Sequence, residues 1–283
     1  LNNVLTGFVS YPELLLMELP AGSPLRDPIR TIQDSGQKAA AIVQDLLTLA
    51  RRGVTHTAVL NLNEMITGYI ASPEHRRLTD DFPHVRVKMH LAGDLLHVKG
   101  SDVHLRKTVM NLVYNAYEAQ PDGGAVTVKT YNCYVDRPMR GYDNVEEGDY
   151  AVLEIRDEGV GIDPDDLNRI FEPFYSRKKM GRSGTGLGMA VVWGTVQDHE
   201  GYIDVQSHIG HGTVFKIYFP ATRALPTVKS KPLPLEAYMG QGETILVVDD
   251  IEAQRDIAAS LLSKLNYTVV TAVSGEEAIA YIE

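Results

Sequence analysis

From Leu1 to about Gly53 the apolar and small positions recur at alternating steps of four and three. They run Leu1, Leu5, Phe8, Pro12, Leu15 and Leu19, then Ile29, Ile32, Gly36, Ala39, Val43, Leu46 and Ala50. On a helix turning every 3.6 residues each series forms one stripe, the pattern of helices packed as in a coiled coil. The breaker-rich stretch from Pro20 to Pro28 predicts a turn between them. Pro12 lies inside the first stripe, where its missing N–H should kink the helix rather than end it. A lone hairpin leaves its stripe half covered, so pairing with a second copy into a four-helix bundle, and hence a homodimer, is expected.

After Arg52 the register is lost, and up to Pro220 short alternating segments mix with helical ones, as in an α/β domain. The pattern predicts strands over Val85 to Leu91, Ala125 to Tyr134, Tyr150 to Asp157, Tyr202 to Ser207 and Thr213 to Phe219. Helices are predicted over Asp102 to Ala119, Pro164 to Ile170 and Leu187 to Asp198. Residues 221–243 hold prolines and glycines with little periodicity and read as a linker. From Thr244 a strand, Ile245 to Val248, ends in Asp249 and Asp250; a helix to about Leu265 and a strand from Thr268 to Thr271 complete a βαβ opening. The expected fold class is therefore multidomain: a helical hairpin over 1–53, an α/β domain over 54–220, the linker, and the start of another α/β fold over 244–283.

The totals support ordinary globular protein: 283 residues, 44% hydrophobic and 23% charged, enough for about two domains. A net charge of −10 with no basic face argues against nucleic acid or an anionic membrane as partner. The single cysteine, Cys133, builds neither a disulfide framework nor a thiolate metal site and suits a reducing compartment. No run of eighteen apolar residues and no signal peptide is present. A cytoplasmic fragment without membrane contact is expected.

Candidate chemistry is concentrated in the middle. Asn111 and Asn115 lie four apart in N-L-V-Y-N-A, so both carboxamides project from one helix face and can share a ligand. An isolated pair of this kind is usually a solvent face; the segments downstream of it alter that reading. Asp157 ends an apolar strand and opens D-E-G-V-G-I, where Gly159 and Gly161 permit close approach of backbone to a flat ligand. A carboxylate there can accept hydrogen bonds from an exocyclic amine such as that of adenine. The next segment, F-E-P-F-Y-S-R-K-K-M-G-R-S-G-T-G-L-G, carries Arg177, Lys178, Lys179 and Arg182 and reads as a mobile cationic lid. Its end, Gly184, Thr185, Gly186, Leu187 and Gly188, runs into an apolar helix, whose free amides and dipole suit a phosphate chain. The spacing is not that of the dinucleotide fingerprint. Finally, G-H-G-T-V-F from Gly210 to Phe215 enters the last strand with Thr213 beside the turn. Each signal is weak alone; their order in one chain is what carries weight.

Taken together these segments resemble a hybrid sensor histidine kinase. Asn111 to Ala116 resembles its N box, Asp157 to Ile162 the first glycine box, Phe171 to Phe174 the F box, Gly184 to Gly188 the second glycine box, and Gly210 to Thr213 a third. The resemblance implies an α/β sandwich of the Bergerat ATP-binding type, with a mixed sheet of about five strands covered on one face by helices. It also implies ATP and Mg2+ as cofactors. Asn115 and Asn111 would hold the magnesium ion on the phosphates and Asp157 the adenine amine. Gly159 and Gly161, Lys178, Lys179 and Arg182, Thr185, Leu187, Thr213 and the second glycine box would surround the nucleotide. One departure is Glu118, where many members carry a lysine or arginine; phosphate contact is then expected from Lys178, Lys179 or Arg182, with Lys107 a weaker candidate.

The flanks extend the resemblance. L-N-N-V-L is similar to the end of the family's H box, which would put the phospho-accepting histidine upstream of Leu1. It would also put Asn3 at the position associated with orienting water during dephosphorylation. None of the nine histidines has the acceptor context, and His104, His199 and His211 are expected at the surface or in loops. I-L-V-V-D-D resembles the first strand of a doubly wound receiver domain, with Asp249 and Asp250 as magnesium ligands; as two strands cannot close that fold, a truncated receiver is expected. The implied function is transfer of the γ-phosphoryl group of ATP to a hairpin histidine and on to a receiver aspartate, with a homodimer and a response-regulator receiver domain as partners. Two alternatives stand beside it: a non-catalytic nucleotide-binding dimerisation module, and an ATP-hydrolysing conformational switch. Against the latter, the related hydrolases carry a glutamate base where this chain has Asn111, and an amide cannot take a proton from water.

Overall fold

The structure is a computed structural model in which residues 11–13, 15–17, 19–50, 57–176, 185–226 and 238–282 are described. They form two compact units, one extending to Thr227 and one starting at Val228.

The first unit opens with helical residues at 11–13 and 15–17, a turn, and helix α1 (Arg26–Ala50). The helix starts earlier than its apolar stripe predicts and takes Pro28 into its first turn, where the missing N–H would have no helical partner anyway. Arg26 Nη1 donates to the Leu16 and Leu19 carbonyls at 2.8 and 2.7 Å, satisfying acceptors at the end of the preceding helical residues. Residues 1–10, and with them half of the first stripe and Asn3, lie outside the described residues.

A sheet of seven strands comes next, not the expected five. In chain order the elements are β1 (Ala58–Leu60), α2 (Leu62–Ile70), α3 (Pro73–Asp81), β2 (Val85–Leu91), β3 (His97–Gly100), α4 (Asp102–Glu118) and β4 (Gly124–Val135). A small ribbon of β5 (Met139–Arg140) and β6 (Asn144–Val145) precedes β7 (Gly148–Arg156), α5 (Pro164–Leu167), α6 (Gly188–Asp198), β8 (Tyr202–His208) and β9 (Gly212–Thr222). The sheet order is β1-β3-β9-β7-β4-β2, with β8 also paired to β9. The two additional strands, β1 and β3, are too short for alternation to register. They are held by the tail of β9, where Ala221 and Thr222 pair with Val98 and His97, so that tail belongs to the sheet and not to the expected linker.

Helices α2, α4 and α6 cover one sheet face. Their apolar residues, among them Ile66, Leu105, Leu112, Tyr117 and Val196, form one core with Val126, Leu153, Ile155, Ile203 and Ile217 of the strands. The other face carries a smaller patch of Val135, Val145, Tyr150, Val152 and Tyr218. Helix α4 is capped by Ser101, whose own N–H donates to His199 Nε2 at 3.0 Å. His199 is buried rather than at the surface. With Nδ1 2.6 Å from the Thr195 carbonyl, the ring proton sits on Nδ1 and leaves Nε2 to accept.

The second unit is a parallel pair, β10 (Thr244–Val248) and β11 (Thr268–Ala272), with α7 (Glu252–Lys264) between and α8 (Gly275–Ile282) after it. Residues 238–240 of the expected linker pack here instead: Gly240 N–H donates to the Leu265 carbonyl and the Tyr267 hydroxyl to that of Tyr238.

Candidate functional site

Helix α4 is the spine of the site. Two turns from its end, the Asn111 amide donates to the Gly188 carbonyl at 3.0 Å, tying α4 to the start of α6. At its C-terminus the Ala119 carbonyl accepts from Val160 N–H at 3.0 Å, tying it to the first glycine turn. Asn115 lies between these two anchors, half-buried, and its carboxamide makes no hydrogen bond among the described residues. Because the Asn111 nitrogen is spent on Gly188, its oxygen is the end left for a ligand.

Asp157 follows β7 and is 4% exposed. Its Oδ1 accepts from Gly159 N–H at 2.9 Å and Thr213 N–H at 3.2 Å. Oδ2 takes no hydrogen bond among the described residues. Burial pushes this carboxyl above the ordinary carboxylate range, and the two backbone donors hold it back by favouring the ion. Backbone packs here too closely for a side chain at several glycines, two of which are also left-handed. Gly161 has φ +73°, and a Cβ there would meet the His208 carbonyl oxygen at 2.1 Å; a Cβ on Gly212 would meet the Asp157 carbonyl oxygen at the same distance. Thr213 is buried and its hydroxyl lies 2.8 Å from that of Ser207.

The second glycine segment is partly described. Gly186 accepts from Phe174 N–H at 2.9 Å, Thr185 Oγ1 accepts from Leu187 N–H at 3.2 Å, and Leu187 is fully buried. Helix α6 has no side-chain cap, so its first amides are left for a ligand. Phe171 packs against Trp193 and Tyr142 with ring centroids 5.1 and 5.0 Å apart. Lys178, Lys179, Arg182 and Gly184 lie outside the described residues.

Asn111, Asn115, Asp157, Gly159, Gly161, Thr213, Thr185, Gly186, Leu187 and Gly188 are thus joined through α4, the two glycine turns and the start of α6. Lys107 Nζ lies 3.1 Å from Oδ1 of the buried Asp45 on α1, an ion pair that the sequence motifs do not signal. Ser207 and Gln120 are site residues that the sequence motifs do not include. Gln120 Oε1 accepts from Glu158 N–H at 3.4 Å. Neither stands out locally: Gln120 meets Glu158 and Ser207 meets Ile162 across more than thirty residues of chain, while Ser207 also meets Gly212 and Thr213 within its own hairpin.

Residues 100–223 match the family described as histidine kinase-, DNA gyrase B-, and HSP90-like ATPase, a span that holds every motif residue placed above. The middle of the chain is a histidine kinase-type ATPase domain. Sensor kinase CckA of Brucella abortus is 33% identical over 290 residues, covering 100% of this chain and 30% of that protein. Sporulation kinase A of Bacillus subtilis is 37% identical over 128 residues, covering 45% of this chain and 18% of that one. The chain spans less than half the length of these relatives. Among solved structures, full-length ShkA in complex with AMPPNP superposes with a TM-score of 0.59 at 19% identity, over 98% of this chain and 54% of that one. The histidine kinase AdeS of Acinetobacter baumannii gives 0.51 at 18%, over 77% and 98%. These likenesses bear on the fold of the ATPase domain.

In the second unit Asp249 and Asp250 stand at the end of β10. Asp249 Oδ1 accepts from Ile251 N–H at 2.8 Å, and Asp250 is exposed. Among the described residues no cluster of three or more His, Cys, Asp or Glu side chains suits a metal ion, and no helix is long and apolar enough to cross a membrane.

Proposed function

We propose that the chain is the core of a sensor histidine kinase that binds Mg-ATP around α4 and moves its γ-phosphoryl group to a histidine on a helical hairpin. The supporting observation is the tethering of α4 to both glycine segments, with Asn115 on the helix between the two tethers. Asp157 Oδ2 accepts from the adenine amine, the α6 amides meet phosphate oxygens, and Lys178, Lys179 and Arg182 close over them. The donor set suits magnesium: two carboxamide oxygens, from Asn111 and Asn115, with phosphate oxygens and water completing a shell that needs few protein ligands. When bound, the ion neutralises phosphate charge. In the transfer the bond from the γ-phosphorus to the bridging oxygen breaks, releasing ADP, and a phosphorus–nitrogen bond forms on the histidine. Asn111 favours transfer over hydrolysis because an amide does not deprotonate water. Helix α1 with its partner segment serves as the dimerisation hairpin of a homodimer, with Asn3 orienting water for dephosphorylation. The phosphoryl group passes on to a receiver aspartate, and Asp249 and Asp250 belong to a receiver-type unit as its magnesium ligands.

The test is incubation of the chain with γ-labelled ATP, magnesium and a separate hairpin bearing a histidine. Acid-labile, base-stable label on the hairpin is expected. Nucleotide binding without label would leave only a binding module, and steady phosphate release would mark a hydrolase.

A further inference from the structure

Ser207, on β8, belongs to none of the motifs above. Its hydroxyl accepts from Ile162 N–H at 2.8 Å, donates to the Gly212 carbonyl at 3.1 Å, and meets Thr213 Oγ1 at 2.8 Å. A serine hydroxyl has one proton and two lone pairs. With the proton on Gly212 and one lone pair on Ile162, the third contact is a hydrogen bond only if Thr213 is the donor. The reverse arrangement turns Ser207 away from Gly212 and makes one bond fewer. Thr213 is 3% exposed, so bulk water does not replace a lost partner there. The Thr213 proton is therefore committed to Ser207, and the free side of its oxygen is an acceptor. Beside it, Asp157 Oδ1 already holds the Thr213 N–H at 3.2 Å, and a carboxylate offers only acceptors. Among the described residues this corner has lone pairs and no side-chain donor.

We propose that Ser207 is a positioning residue for base selection: by holding the Thr213 proton it keeps the Asp157–Thr213 corner acceptor-only. Such a corner takes the amino group of adenine and rejects the keto oxygen that guanine carries at the same ring position. The inference rests on the nucleotide reading of the pocket given above. Without Ser207 the Thr213 hydroxyl is free to rotate and offer its proton to the ligand, which weakens the preference.

Mg-ATP and Mg-GTP affinities of the full chain, measured by calorimetry for wild type, Ser207→Ala, Thr213→Val, the double variant and Ser207→Thr, test this. Wild type should prefer ATP. Ser207→Ala should weaken ATP about fivefold, the worth of one neutral hydrogen bond, while GTP is unchanged or tighter. In the Thr213→Val background the same substitution should leave the ATP-to-GTP ratio unchanged, because the group it acts through is gone. Ser207→Thr, which keeps a hydroxyl, should restore the preference and shows whether any loss in Ser207→Ala is merely misfolding. Equal weakening of both nucleotides by Ser207→Ala, or an unchanged effect on the ratio in the Thr213→Val background, overturns the role of Ser207 while leaving the nucleotide site standing. Wild type that binds neither nucleotide overturns both.

Discussion

Replacing Asp157 by Asn isolates the contribution of one charge at constant shape. In the wild type Oδ1 receives two backbone N–H groups, at 2.9 and 3.2 Å, and Oδ2 is the end that the proposed function gives to the adenine amine. Asparagine cannot satisfy both sides. If its oxygen stays on Gly159 and Thr213, an NH2 group confronts the adenine amine; if it flips, the NH2 confronts two backbone donors. A hydrogen bond to a charged group contributes about 1.5–3 kcal/mol, so the affinity for Mg-ATP should fall by roughly 10- to 150-fold. Unfolding without nucleotide should change little, because the substitution also removes the cost of burying a carboxylate, the cost that pushes its pKa up. Calorimetric titration gives the affinity. Thermal unfolding with and without Mg-ATP gives a second readout, since ligand at about 100 times Kd stabilises by about 2.7 kcal/mol and that increment should nearly vanish. An Asp157→Asn chain that binds ATP within about twofold of wild type would refute the assignment of this carboxylate to the base.

The same geometry fixes three further outcomes. Gly161→Ala places a side chain at φ +73° against the His208 carbonyl oxygen, so thermal unfolding should show at least the ~1–2 kcal/mol cost of a left-handed non-glycine residue, and a melting temperature equal to wild type would contradict the turn as described. Burial holds the His199 pKa below its ordinary value. Its neutral form is the one that accepts from Ser101, so its stabilisation is fully present above the unfolded value of about 6.5 and is lost as pH falls below that toward the lowered folded value. His75, likewise lowered by burial, acts with the same sign. Denaturant titrations at pH 8 and 5.5 should show this acid loss, reduced in His199→Gln; equal losses in the two proteins would exclude His199 as a source. Lys107→Met leaves Asp45 buried without its cation, costing about 2 kcal/mol, less than for a fully buried pair because Lys107 is 28% exposed. Hydrogen exchange in α1 should quicken accordingly and be slowed again by adding Asp45→Leu.

Legibility in the sequence tracks the length and regularity of each element. The strand Val85–Leu91 and the helix from Asp102 have enough turns or alternations to declare themselves. Helices α2 and α3 are too short to show a stripe, although each carries a start signal: Asn61 followed by Glu64, and Ser72 followed by Pro73, with both caps formed. Strands β1 and β3 have none, because a three- or four-residue strand is defined by its partners. In the site, residues within short glycine motifs are legible, since a tight turn imposes its requirement locally. Lys107 and Ser207 are not: Asp45 is brought up by α1 and Ile162 by the first glycine turn, and Thr213, though only six residues from Ser207, meets it through the β8–β9 register. The same holds for His199, whose burial depends on meeting the start of α4.

Strand β9 touches β3, β7 and β8, and among the described residues it is the one strand paired with β8. A premature stop at or before codon 212 would therefore do more than shorten the protein. It would remove Thr213 with the strand and leave β8 and the β1–β3 ribbon as bare, sticky edges. Frameshifts anywhere upstream should accordingly yield insoluble, rapidly degraded product.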